Sequence, residues 1–155
     1  MKIVRFQDAS GDVKFGIRHN NDHITFIDGD VLGTFTDTGK TAEVSKLLAP
    51  IEPRDILCIG LNYRQHAAEG KSPIPENPIV FMKNSGSLQN PGDPVILPRR
   101  LLSKAVDYEC ELAVVLGKTC YNVSKSEALD YVLGYTCAND VSARYWQIKH
   151  GVLGV

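Results

Sequence analysis

Along the first thirty residues apolar and polar side chains alternate in short runs, at 2–6, 13–18 and 23–27, separated by Ser10-Gly11-Asp12 and Asn20-Asn21-Asp22. Period-two alternation bounded by turn-forming residues predicts a small β meander. Residues 41–48, with Leu47 and Leu48 as apolar anchors, read as a short helix. Pro50 and Pro53 then bracket a stiff connector, because each ring fixes φ and pushes the preceding residue out of the helical region. A domain boundary is therefore expected near residues 49–54. Beyond it, runs at 56–61, 79–82, 95–97, 108–116 and 133–138 predict strands joined by Pro- and Gly-containing loops. Helices are expected over 63–69 and over 125–132, the second opening on Ser124 and Glu127 at capping-box spacing. The chain thus reads as α+β and sheet-dominated, with a small β-rich domain over 1–50 and a larger one over 54–155.

Composition narrows the class without changing this outline. A chain of 155 residues with 43% apolar and 23% charged positions is ordinary for a globular protein, and at this length about 68–70% of the unfolded surface can be buried. Seventeen basic residues against eighteen acidic ones leave a net charge of -1. No basic run is long enough to draw nucleic acid or an anionic lipid surface, so neither is expected as a partner. No apolar stretch approaches the roughly 18 residues of a membrane helix, and the opening MKIVRFQD is unlike an export signal, so a cytoplasmic setting is expected. Cys58, Cys110, Cys120 and Cys137 form no CxxC pair and are expected to be reduced and mostly buried.

The most informative stretch is Asp107-Tyr-Glu-Cys-Glu-Leu-Ala-Val-Val-Leu116. As one strand, it would turn Asp107, Glu109 and Glu111 to one face and Tyr108, Cys110, Leu112, Val114 and Leu116 to the other, which would be core. Carboxylates about 6.5–7 Å apart repel by about 2.4 kcal/mol at an effective dielectric of 20. Such a face invites a hard cation, Mg²⁺, Mn²⁺ or Ca²⁺, held by oxygen alone. The plainer alternative is an edge strand with a wet acidic face. Asp140, after the strand at 133–138, is a candidate third ligand, although Asn139-Asp140 is also a good helix N-cap.

A second group is Gly60-Leu-Asn-Tyr-Arg-Gln-His66-Ala-Ala-Glu69-Gly70. His66 and Glu69, three apart on a helical turn, share a face and could form a general acid/base pair, or be an ordinary surface turn. Lys83 ends the run at 79–82, where its cation could meet a substrate carboxylate or simply be solvated. GxSxG, GxGxxG and Walker A loops are missing, since Gln65 stands where the P-loop before Lys71 needs its first glycine.

Taken together, Ile59-Gly-Leu-Asn-Tyr-Arg-Gln-His66-Ala-Ala-Glu69, Phe81-Met-Lys83, the Asp107–Gly117 stretch and Gly134-Tyr-Thr-Cys-Ala-Asn-Asp140-Val-Ser-Ala-Arg144-Tyr-Trp-Gln147 resemble the fumarylacetoacetate hydrolase family. The resemblance spans residues 59–147, and the meander before Pro50 resembles the small N-terminal domain many members carry. It implies part of a fumarylacetoacetase-type β-roll, with Glu109, Glu111 and Asp140 as ligands of Mg²⁺ or Mn²⁺. His66 and Glu69 would activate a water or move a proton, and Lys83, Arg144 and Gln147 would line the substrate site. The implied chemistry is hydrolysis of a carbon–carbon bond, decarboxylation or isomerisation of a small β-diketo or 2-oxo acid, in which a chelated metal stabilises the developing enolate.

Family members continue past the position of Gln147, whereas residues 148–155 resemble none of those parts. A truncated product with open strand edges is therefore expected, a homodimer if it folds stably. The alternative function is a catalytically inactive metal-binding fragment, or an interaction module pairing through its open β edges.

Overall fold

The structure is a computed structural model that describes residues 1–151. Residues 152–155, the last four assigned to the second domain, lie outside the described residues. Eleven strands and two short helices make it sheet-dominated among those described, as expected. The chain divides into two compact units, one of residues Met1–Ile51, Gln89–Val95 and Glu109–Asp140, the other of Glu52–Leu88, Ile96–Tyr108 and, as far as described, 141–151.

In the first unit, β1 (Lys2–Asp8), β2 (Val13–Arg18), β3 (Ile24–Gly29), β4 (Phe35–Thr41) and β5 (Val44–Leu48) form an antiparallel sheet of order β4-β3-β2-β1-β5. Phe6, central on β1, is 0% exposed and tilts against Phe26 with ring centroids 5.9 Å apart. Gly16 makes room for that ring, because a Cβ there would stand 3.0 Å from Phe6 Cε1 and 2.6 Å from the Thr25 carbonyl.

The helix expected over 41–48 is instead the end of β4 followed by β5. Here pairing overrides local pattern: Leu47 sits opposite Phe6, Leu48 opposite Arg5, and Ser45 Oγ donates to the carbonyls of Gln7 and Asp8 at 2.9 and 2.8 Å. The segment 89–95 is tied to this edge, with Lys46 Nζ 2.7 Å from Asp93 Oδ2, Asn90 Nδ2 donating to the same oxygen at 3.0 Å, and Asn90 Oδ1 accepting from Ala49 N–H. The Lys46 ammonium first, and then the Asn90 amide, hold the Asp93 carboxyl below the usual carboxylate range. A depressed folded-state value contributes stability that is present above the ordinary carboxylate pKa, near 4, and lost as pH falls through the folded value. Asp93→Asn is thus expected to flatten the acid side of the stability–pH curve below about pH 4; chemical denaturation across pH 2–6 checks this, and an unchanged acid limb overturns it.

The same unit contains an antiparallel pair, β9 (Cys110–Leu116) with β10 (Val132–Asn139). The helix expected over 125–132 is only a 3₁₀ turn at Ala128–Tyr131, with Ser124 Oγ bonded to the Glu127 carboxylate beside it. The face of β9 expected to be core is exposed, Leu112 by 61% and Val114 by 50%. Alternation says which residues share a face, not what covers it, and a two-stranded ladder has no second layer of its own. Cys110, Cys120 and Cys137 are likewise exposed rather than buried, and none of the four cysteines is in a disulfide.

In the second unit, β6 (Ile56–Gly60) pairs antiparallel with β7 (Ile79–Lys83), and α1 (Arg64–Glu69) lies between them in sequence. The Pro94–Pro98 segment forms no strand where 95–97 were expected to, consistent with a proline at each end that restricts the neighbouring backbone. The strand expected over 108–116 begins only at Cys110. Val106–Asp107 forms β8 and pairs with β11 (Ser142–Ala143), while Tyr108 and Glu109 stand outside any strand. Immediately after β11 comes α2 (Arg144–His150). Among the described residues no helix is long and apolar enough to cross a membrane.

Candidate metal and proton-transfer residues

The register of β9 with β10 puts Glu111 opposite Ala138 and Cys110 opposite Asn139. Beyond the last paired residues the Asp140 N–H donates to the Glu109 carbonyl at 2.9 Å, and the Asn139 side chain accepts from the Glu109 N–H at 3.2 Å. Glu109, Glu111 and Asp140 therefore occupy alternating positions at one end of this hairpin, on one face. All three are half-buried, whereas Cys110 and Asn139 between them are exposed. Asp140 does not cap α2, whose N-cap is Ala143.

An all-carboxylate donor set suits a hard divalent ion and not a thiophilic one. The backbone brings the three donors to one place; among the described residues, however, no three His, Cys, Asp or Glu side chains converge closely enough to enclose an ion. The fit is thus one of donor chemistry and backbone placement. Asp107, expected on the same anionic face, belongs to the second unit, where its Oδ2 accepts from Arg144 Nε at 2.9 Å. This ion pair joins residues 37 apart in sequence, and no local spacing announces it.

The other residues of interest belong to the second unit. Leu61, at φ 50°, turns the chain out of β6, and the one-and-a-half-turn α1 is anchored by Ala67, which is 1% exposed. His66 and Glu69 are exposed on the helix, and neither makes a side-chain hydrogen bond or ion pair among the described residues. Their i,i+3 spacing leaves both on the accessible side while Ala67 packs inward. A surface cavity of about 320 Å³ opens beside Gly60, Leu61, Asn62 and Arg64, but His66 and Glu69 do not line it.

Lys83 ends β7 and donates to the Val141 carbonyl at 3.0 Å, so its ammonium is held rather than simply solvated. Arg144 opens α2; its backbone N–H donates to the Ala105 carbonyl at 2.8 Å and its Nη1 to Gln147 Oε1 at 2.8 Å. The structure therefore sets Arg144 and Gln147 side by side and braces the guanidinium with Asp107.

The chain matches the family model "Fumarylacetoacetate (FAA) hydrolase C-terminal" over residues 55–153 and "Rv2993c-like, N-terminal" over residues 1–50. It is 55% identical over 107 residues to the fumarylacetoacetate hydrolase domain-containing protein 2 homolog of Dictyostelium discoideum, covering 69% of this chain and 34% of that protein. To the Xenopus laevis oxaloacetate tautomerase fahd2, mitochondrial, it is 49% identical over 104 residues, covering 66% and 32%. Among solved structures, the 5-carboxymethyl-2-hydroxymuconate delta-isomerase of Mycobacterium smegmatis superposes with a TM-score of 0.83 at 32% identity, covering 98% of this chain and 59% of that one. The chain thus spans between about a third and three fifths of the length of these relatives.

Proposed function

The chain belongs to the fumarylacetoacetate hydrolase family, and from that premise we propose that it serves divalent-metal-dependent rearrangement or cleavage of small β-diketo or 2-oxo acids. Keto–enol and double-bond isomerisation come first, because two of the similar proteins carry the names oxaloacetate tautomerase and hydroxymuconate delta-isomerase. Carbon–carbon hydrolysis and decarboxylation are the other outcomes for the same residues. The observation that carries this reading is the grouping of Glu109, Glu111 and Asp140 at one end of β9 and β10, tied by the Asp140-to-Glu109 backbone bond.

On this reading Glu109, Glu111 and Asp140 hold Mg²⁺, with Mn²⁺ or Ca²⁺ as substitutes of the same hard character. When bound, the ion supplies Lewis acidity toward a 2-oxo carboxylate and stabilises enolate charge. His66 Nε2 or Nδ1 accepts or returns the proton at the substrate carbon, and the Glu69 carboxylate stabilises the imidazolium. Lys83 and Arg144 contribute positive charge for substrate carboxylates, and Gln147 donates an amide hydrogen bond. The two-domain division, 1–50 and 54–155, accords with the separate matches over 1–50 and 55–153. Cysteines outside disulfides suit the reducing cytoplasm, where we place the protein.

A second reading, association through β edges as an interaction module or a homodimer, is favoured by the exposed apolar side chains Leu112, Val114 and Leu116 on β9 and Leu57, Val80 and Met82 on β6 and β7. One experiment addresses both. Enol-to-keto conversion of oxaloacetate is followed by ultraviolet absorbance with excess Mg²⁺ and with chelator, alongside loss of an acylpyruvate, and the same sample is sedimented. Mg²⁺-dependent turnover of either acid is expected, and equal rates with and without metal overturn the metal-dependent reading. A sedimentation coefficient of a stable monomer sinks the association reading.

A further inference from the structure

The β2–β3 hairpin closes on two histidines. His19 and His23 are opposite each other at the mouth of the turn, with the His19 N–H donating to the His23 carbonyl at 2.8 Å and the Asp22 N–H to the His19 carbonyl at 3.0 Å. Asp22 at φ 62° supplies the left-handed residue of the three-residue loop. Opposite positions bring Cβ atoms within about 4.5–5.5 Å, and the imidazole centroids stand 5.5 Å apart with planes 34° from parallel.

Each ring is tied down by one nitrogen. His19 Nε2 is 2.9 Å from Thr25 Oγ1, and His23 Nε2 is 2.9 Å from Thr41 Oγ1, the two threonines facing each other across β3 and β4. His19 Nε2 also stands 3.6 Å from Asp37 Oδ2, so an N–H at Nε2 faces both a hydroxyl and a carboxylate, and Nδ1 is left with the lone pair. Thr25 is itself 3% exposed, which makes this anchor a fixed part of the sheet. Neither Nδ1 has a hydrogen-bond partner among the described residues. A ring held through one nitrogen by a hydroxyl or carboxylate, with the other left open, is the outer-shell arrangement of metal-binding histidines.

We propose that His19 and His23 form a two-imidazole site for a borderline divalent cation such as Zn²⁺, on the N-terminal sheet and independent of the carboxylates at Glu109, Glu111 and Asp140. Imidazole nitrogen selects Zn²⁺, Ni²⁺ or Cu²⁺ over Mg²⁺, and water completes the coordination.

The test titrates Zn²⁺ into the full chain in saturating Mg²⁺, reading imidazole resonances by nuclear magnetic resonance and affinity by calorimetry. One equivalent is expected to shift the His19 and His23 signals and leave those of His66 and His150 in place. Affinity is expected to fall at least tenfold in His19→Ala and in His23→Ala and to be unchanged in His150→Ala. Thermal melts of the variants confirm that the sheet still folds; should one of them unfold, His19→Gln and His23→Gln carry the comparison. Affinity within twofold of the parent in a folded double variant, or shifts confined to other residues, overturns the proposal.

Discussion

In Glu109→Ala, Mg²⁺-dependent turnover is expected to fall about 10²–10³-fold, the range seen when one preorganised electrostatic contact to developing charge is lost, with the fold intact. The reason for the second half lies in the backbone. Glu109 is bound to its neighbours through main-chain groups, its carbonyl accepting from Asp140 N–H and its N–H donating to the Asn139 side chain, and truncation at Cβ leaves both bonds in place. The first half follows from charge: a hard ion that loses one of three carboxylates loses an anionic donor that water replaces only weakly. Glu109→Gln keeps the shape and one neutral oxygen, so its Mg²⁺ requirement should shift to higher concentration rather than vanish. Steady-state rates as a function of Mg²⁺, with circular dichroism to confirm folding, measure both variants. A folded Glu109→Ala protein with the parent's rate and Mg²⁺ dependence would falsify the ligand assignment.

The largest expected loss of stability is at Phe6. Phe6→Ala should cost about 3–5 kcal/mol, the usual range for truncating a buried aromatic, because the ring is 0% exposed and makes contacts that no other side chain can replace. It lies on β1 between β2 and β5, against Phe26 on one side and over Gly16 on another. The absence of a side chain at residue 16 admits the ring, so its removal leaves a cavity that the sheet cannot close by a small shift. A small domain has only about 5–15 kcal/mol in total, and this single change removes a large part of it. Urea denaturation followed by fluorescence and circular dichroism gives the number, and a loss under 1 kcal/mol refutes the assignment of Phe6 as the centre of this core.

How far the chain could be read in advance differs from element to element. β1, β2 and β3 were legible because alternation and turn residues agree over the same few positions, and α1 because Gly60 and Gly70 bracket a helical run. Residues 44–48 misled because Leu47 and Leu48 suit a helix, yet β1 offered them an unpaired edge. β4 was missed since Asp37 and Gly39 interrupt its threonine-rich run. Glu109 and Glu111 could be placed on one face by counting in twos. Asp107, which the same counting added to them, is held in an ion pair with Arg144 that counting does not announce, and the exposed Leu112 and Val114 show that an apolar face is not by itself a core.

The sequence by itself determined the alternation, the turns, the motifs of the family and hence the residue types available for metal and proton chemistry. Tertiary structure alone decided the partners: Asp140 beside Glu109, thirty-one residues away, Arg144 against Asp107, Lys83 on the Val141 carbonyl, and the paired histidines with their threonines. The physical reason is that alternation and turn preference arise from each residue's own side chain and so are written along the chain. Strand pairing is made by backbone N–H and C=O groups that are nearly the same at every position, so its register is selected only when the whole set of faces, edges and charges is satisfied at once.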